Sequence, residues 1–137
     1  MENSIEEIID ELGVDIVYKD FLDEDGHYIA CINTVVLSPN LDEIQERCVL
    51  LHELGHAAKH QDNYVLYNRL LGFHLKMENE AEEFMIEKLF TMYVNNPDIN
   101  PDIFNSIYFL NIHELDLSYE AFVKDLFTEY LTTNIIM

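Results

Sequence analysis

The stretch from Leu41 to about His60 constrains this chain more than any other segment. It follows the break at Ser38-Pro39-Asn40. Its middle, Cys48-Val49-Leu50-Leu51-His52-Glu53-Leu54-Gly55-His56-Ala57-Ala58, is apolar around most of a helical circumference. A helix apolar all round belongs inside a core, and a fold that buries this one must find partners for two histidines and a glutamate, because an unpaired buried polar group is costly. His52-Glu53-Leu54-Gly55-His56 is an H-E-x-x-H sequence, whose histidines, four apart, project from one face and can both reach one metal ion. Glu53 stands beside the same position. Imidazoles suit zinc, which in catalytic sites takes three protein ligands and leaves the fourth position to water. Glu53 is then placed as general base on that water. The donor set would also accept Mn, Co or Ni, so zinc is the default reading.

A third protein ligand has to come from elsewhere. His60 is a poor candidate, because two helical turns separate it from His52 and no glycine between His56 and His60 redirects the chain; it reads as a helix-end histidine meeting the C-terminal dipole. A second strong helix is predicted from about Leu75 to Tyr93. On its wheel Glu78, Ala81, Glu82, Met85 and Leu89 share one face, and Glu80, Glu83 and Glu87 the opposite, solvated one. The face that packs on the metal helix should supply the ligand, which selects Glu78, with Ala81 permitting close helix approach; Glu80 is the competitor. Glu82, four residues on, is placed to accept the free N–H of a ligating histidine. A donor for the developing oxyanion is sought in the segment joining the two helices, where His74 ranks ahead of Tyr64 and Tyr67.

The rest of the chain suggests an α+β fold in a single domain of 137 residues: a helix and small sheet over about 1–40, the metal-site helices over 41–94 and a helical part over 95–137. Residues 4–12 read as a first helix, with Ser4 and Glu7 as a capping box and Gly13 as its stop. Val14 to Tyr18, His27 to Ile32 and Thr34 to Leu37 read as strands of a small antiparallel sheet or meander. Two helices are expected between Asp102 and about Leu131, the second capped by Ser118. Seven Lys and Arg against 27 Asp and Glu give a formal charge of −20. That leaves few groups to neutralise phosphates, so direct nucleic-acid binding is not expected, whereas a basic protein surface would be attracted. No run approaches the ~20 apolar residues of a membrane span, and the acidic N-terminus lacks signal-peptide features, so a cytoplasmic setting is expected, with Cys31 and Cys48 unpaired.

His52 to His56 followed by Glu78-x-x-Ala81, with Phe84 three further on, resembles the ImmA/IrrE family of metallo-endopeptidases, whose pattern is H-E-x-G-H, then E-x-x-A and an aromatic residue. The likeness runs over nearly the whole chain. The resemblance implies a minimal zincin-like core, zinc held by His52, His56 and Glu78, and Glu53 as general base. Glu82 departs from the Asp or Asn common at its position, and Met85-Ile86 from the usual Ala-rich continuation. Phage and mobile-element members cut a helix-turn-helix repressor, which implies such a repressor, acting in trans, as the protein partner here. The edge strand, Thr34 to Leu37 or His27 to Ile32, would hold an extended substrate segment beside the metal. The alternatives are a zinc-stabilised module that sequesters a repressor without cutting it, and the toxin of a toxin and antitoxin pair.

Overall fold

The structure is a computed structural model and describes residues 2–20, 23–60 and 71–136. Among these are five α-helices and three strands in the order α1 (Glu2–Leu12), β1 (Asp15–Tyr18), β2 (Gly26–Ile29), β3 (Thr34–Leu37), α2 (Glu43–His60), α3 (Leu71–Val94), α4 (Ser106–Ile112) and α5 (Glu120–Ile136), with short 3-10 turns at Ala30–Ile32, Pro101–Ile103 and Leu117–Tyr119. The fold class is α+β, as the sequence suggests. The chain divides into two compact units, Met1–Met85 and Ile86–Met137.

In the first unit α1 begins at Glu2, ahead of Ser4, and ends where the sequence says it should. Gly13 takes a left-handed φ of 65°. Its N–H then reaches the Asp10 carbonyl and that of Val14 the Ile9 carbonyl, both at 3.2 Å, closing the helix in a Schellman turn. The sheet departs from the expected antiparallel meander. Its order is β1-β3-β2, with β1 parallel to β3 and only β2 antiparallel to it. The burial patterns give the reason: all four residues of Thr34-Val35-Val36-Leu37 are buried, whereas β1 and β2 are buried only in part. A meander would leave that continuously buried strand at the rim, and placing it in the middle flanks it on both sides. One consequence is that Thr34 to Leu37 is not an edge strand. The other correction concerns His27 to Ile32, where extended structure stops at Ile29 and the chain turns through a 3-10 segment to Asn33, left-handed at φ 46°.

Helix α2 starts at a reciprocal cap: Asp42 Oδ1 accepts the Gln45 N–H at 2.8 Å, and Gln45 Oε1 accepts the Asp42 N–H at 3.2 Å. Leu51 and Leu54 are fully buried, and β2 and β3 pack on this helix. Helix α3 begins at Leu71, four residues before the expected Leu75.

In the second unit Asn105 caps α4 by accepting the Tyr108 N–H at 2.9 Å. The expected cap at Ser118 is displaced to Asp116, whose carboxylate accepts the Ser118 N–H at 2.8 Å and opens the 3-10 turn before α5. Phe90, Tyr93, Phe104, Phe109 and Phe127 form an aromatic cluster in which Phe104 and Phe127 stack at 4.7 Å. No helix among the described residues is long and apolar enough to cross a membrane.

Candidate metal centre

The centre is built where α2 and α3 touch. Gly55 makes that contact possible: a Cβ at this position would lie 3.0 Å from the Ala81 Cα, 3.1 Å from its carbonyl oxygen and 3.2 Å from the Phe84 Cβ. Glycine facing the fully buried Ala81 therefore lets the two helices approach nearly backbone to backbone, one turn away from the acid that must reach the histidines.

At this approach Glu78 inserts its carboxylate between the two imidazoles, with Oε2 2.9 Å from His52 Nε2 and Oε1 3.0 Å from His56 Nε2. Glu82, one turn on, places Oε1 2.6 Å from His52 Nδ1, the nitrogen on the far side of the ring. Ionised carboxylates only accept, so His52 donates from both nitrogens. Burial alone would lower the His52 pKa, but the hydrogen bonds to Glu78 and Glu82 outweigh it and lift it from 6.5 to about 10. His56 is 1% exposed, and ligand atoms of His52, Glu53 and His56 lie within 4.8 Å of one another.

Glu53 sits on the sheet side of α2. It is 9% exposed, and its Oε1 accepts the backbone N–H of Tyr28 in β2 at 2.7 Å. Burial raises its pKa from 4.5 to about 7, against the opposing pull of His52 and the Tyr28 N–H. A carboxylate that is desolvated yet fixed by a charge-assisted hydrogen bond has one defined position rather than several.

These residues fit a divalent metal. Ligand atoms about 2.0–2.1 Å from a tetrahedral zinc stand roughly 3.3 Å apart, a few tenths of an ångström more than the spacings Glu78 makes with the two Nε2 atoms. In the metal-free protein each Nε2 can donate a proton to its own Glu78 oxygen, and metal binding would displace those protons. Hydrogen bonding of a histidine's remote nitrogen to a carboxylate is the usual support for a metal-bound imidazole.

Of the residues singled out by sequence, His52, Glu53, His56, Glu78 and Glu82 come together here. The side chains of His60 and His74, and all of Tyr64 and Tyr67, lie outside the described residues. Sequence reading missed Tyr28, because its contribution is a backbone N–H that no side-chain pattern announces; only the strand order would have revealed it.

The chain is 32% identical over 68 residues to a deoxyguanosinetriphosphate triphosphohydrolase-like protein of Clostridium perfringens, a match covering 50% of this chain and 20% of that protein. It thus spans about a fifth of that relative's length. The crystal structure of the metallopeptidase zymogen abylysin of Pyrococcus abyssi aligns over 69% of this chain and 96% of that one, with 21% identity and a TM-score of 0.36. The family model of the M78 peptidases, described as the IrrE N-terminal-like domain, matches residues 9–126. The chain therefore belongs to the M78, IrrE N-terminal-like family of metallopeptidases.

Proposed function

We propose that the chain is a zinc-dependent endopeptidase of the H-E-x-x-H type that cuts a helix-turn-helix repressor encoded by the same phage or mobile element, releasing the genes the repressor holds silent. His52, His56 and Glu78 would hold the ion, and Glu53 would act as general base. The observation that carries this reading is the single Glu78 carboxylate reaching both histidine Nε2 atoms while a Glu53 oxygen stands within 4.8 Å of a ring nitrogen of each histidine. Bound there, zinc would supply Lewis-acid chemistry, polarising the scissile carbonyl and making a water acidic enough to be deprotonated at neutral pH.

The protein's own groups do the rest. Glu53 takes the proton of the attacking water and passes it to the leaving amine, a reading supported by the bond to the Tyr28 N–H that fixes its carboxylate. Glu82 fixes the ring of His52 through Nδ1. Among the described residues strand β2 pairs with β3 on one side only and β3 is paired on both, so an extended substrate segment would add to the other edge of β2, next to the Tyr28 N–H that Glu53 accepts. The charge of −20 supports a basic partner, which a DNA-binding repressor is. Sequestration without cleavage shares the partner but gives Glu53 no task.

The test is intact-mass analysis of the co-encoded repressor after incubation with zinc-loaded protein, beside the Glu53→Gln variant. Two fragments that sum to one hydrolysed bond, produced by the wild type alone, are expected. Repressor that stays whole with both proteins while binding both equally would overturn the reading in favour of sequestration.

A further inference from the structure

A chain of hydrogen bonds runs from the end of α1 to Glu53. Asn33 Nδ2 donates to the carbonyls of Leu12 and Gly13, at 2.9 and 3.0 Å, which are among the acceptors a helix leaves over at its C-terminus. Asn33 Oδ1 accepts the hydroxyl of Tyr28 at 2.6 Å. The backbone N–H of Tyr28 donates to Glu53. Each link has a physical reason. Asn33 occupies the left-handed region, which asparagine tolerates better than other side chains that bear a Cβ, and its amide offers both the donors the helix end needs and the acceptor Tyr28 needs. Tyr28 is fully buried, so its ring cannot swing, and its hydroxyl anchors the end of the residue opposite the backbone. Because its N–H is spent on Glu53, Tyr28 stands in the ladder opposite Val35 with its donor turned away from β3.

We propose that Tyr28 and Asn33 are positioning residues for Glu53: the Tyr28 hydroxyl, held by Asn33, fixes the residue 28 backbone, and its N–H sets where the Glu53 carboxylate stands relative to His52 and His56. The inference rests on Glu53 being the general base. Asn33 acts through the hydroxyl it accepts from Tyr28, while its bonds to Leu12 and Gly13 contribute to stability.

The test is amide NMR on the 15N-labelled full chain, metal-free and loaded with zinc alone. Glu53→Gln should move the residue 28 amide upfield, as loss of a charged acceptor requires, with little change elsewhere in the sheet. Tyr28→Phe should lower the exchange protection of that same amide on the order of tenfold, while the amides pairing β1 with β3 keep theirs. Asn33→Asp separates positioning from stability, because it retains an acceptor for Tyr28 and loses both donors to the helix end: residue 28 should keep its protection although the melting temperature falls. An unmoved amide in Glu53→Gln, a uniform loss of protection across the sheet in Tyr28→Phe, or selective loss at residue 28 in Asn33→Asp would each overturn the proposal. A repressor cut equally well by wild type and Glu53→Gln would remove the general base instead, and would leave the NMR pattern as it is.

Discussion

Replacing Gly55 with alanine should weaken metal binding from a position that donates nothing to the metal. The added methyl would meet the Ala81 Cα at 3.0 Å and the Ala81 oxygen at 3.1 Å, and main-chain atoms cannot rotate aside. Carbon contacts settle near 3.5–4.0 Å, so α2 and α3 have to part by roughly 0.5–1 Å. Glu78 lies one turn from Ala81 on the same helix and would be carried with it, stretching both of its 2.9 and 3.0 Å contacts beyond hydrogen-bond range. Overpacking of this kind costs about 1–3 kcal/mol. The better helix propensity of alanine returns about 1 kcal/mol, leaving a net loss of about 0–2 kcal/mol in the metal-free protein. Zinc affinity should fall as well, on the order of tenfold, the size of effect seen when support for a ligand is lost. A competition titration against a chromophoric chelator gives the first quantity and urea unfolding of the metal-free chain the second. Wild-type zinc affinity together with a stability gain of about 1 kcal/mol would show that the helices are not in contact at Gly55 and would refute the reasoning.

Two other outcomes follow from the site. Glu82→Ala should lower zinc affinity by about 10–100-fold without removing a ligand, since His52 Nδ1 loses its carboxylate; the same chelator titration reads it, and unchanged affinity would place Glu82 outside the metal's support. In the metal-free protein His52 is lifted from 6.5 to about 10 and Glu53 from 4.5 to about 7. Both folded values lie above the unfolded ones, so each contribution is complete below the unfolded pKa and is lost as pH rises through the folded one. Urea unfolding in the presence of chelator should therefore show stability falling from about pH 5 to about pH 10, and a rise across that window would contradict the hydrogen-bond assignments.

Much of the site was legible because its residues sit on helices, where spacing in sequence is spacing in space. His52 and His56 four apart, and Glu78 and Glu82 four apart, each define a face without any knowledge of the fold. The sheet was harder, because alternation and β-branching mark a strand but not its neighbours. Thr34 to Leu37 carried a signal in Val35-Val36-Leu37, which lacks the polar alternation of a rim strand and suits a central one. Tyr28 and Asn33 were out of reach, since their roles depend on a backbone N–H and a left-handed turn that join segments twenty or more residues apart.

The most direct measurement of the central claim is X-ray absorption on the zinc-loaded chain, with metal content per chain determined for wild type, His56→Ala and Glu78→Ala. One zinc per chain, with two imidazole nitrogens and the remaining ligands oxygen at about 2.0–2.1 Å, is expected for the wild type, with loss of tight binding in both variants. Stoichiometric zinc held equally well by both variants, or a ligand set without two imidazoles, would show that the metal centre is not formed by these residues of α2 and α3.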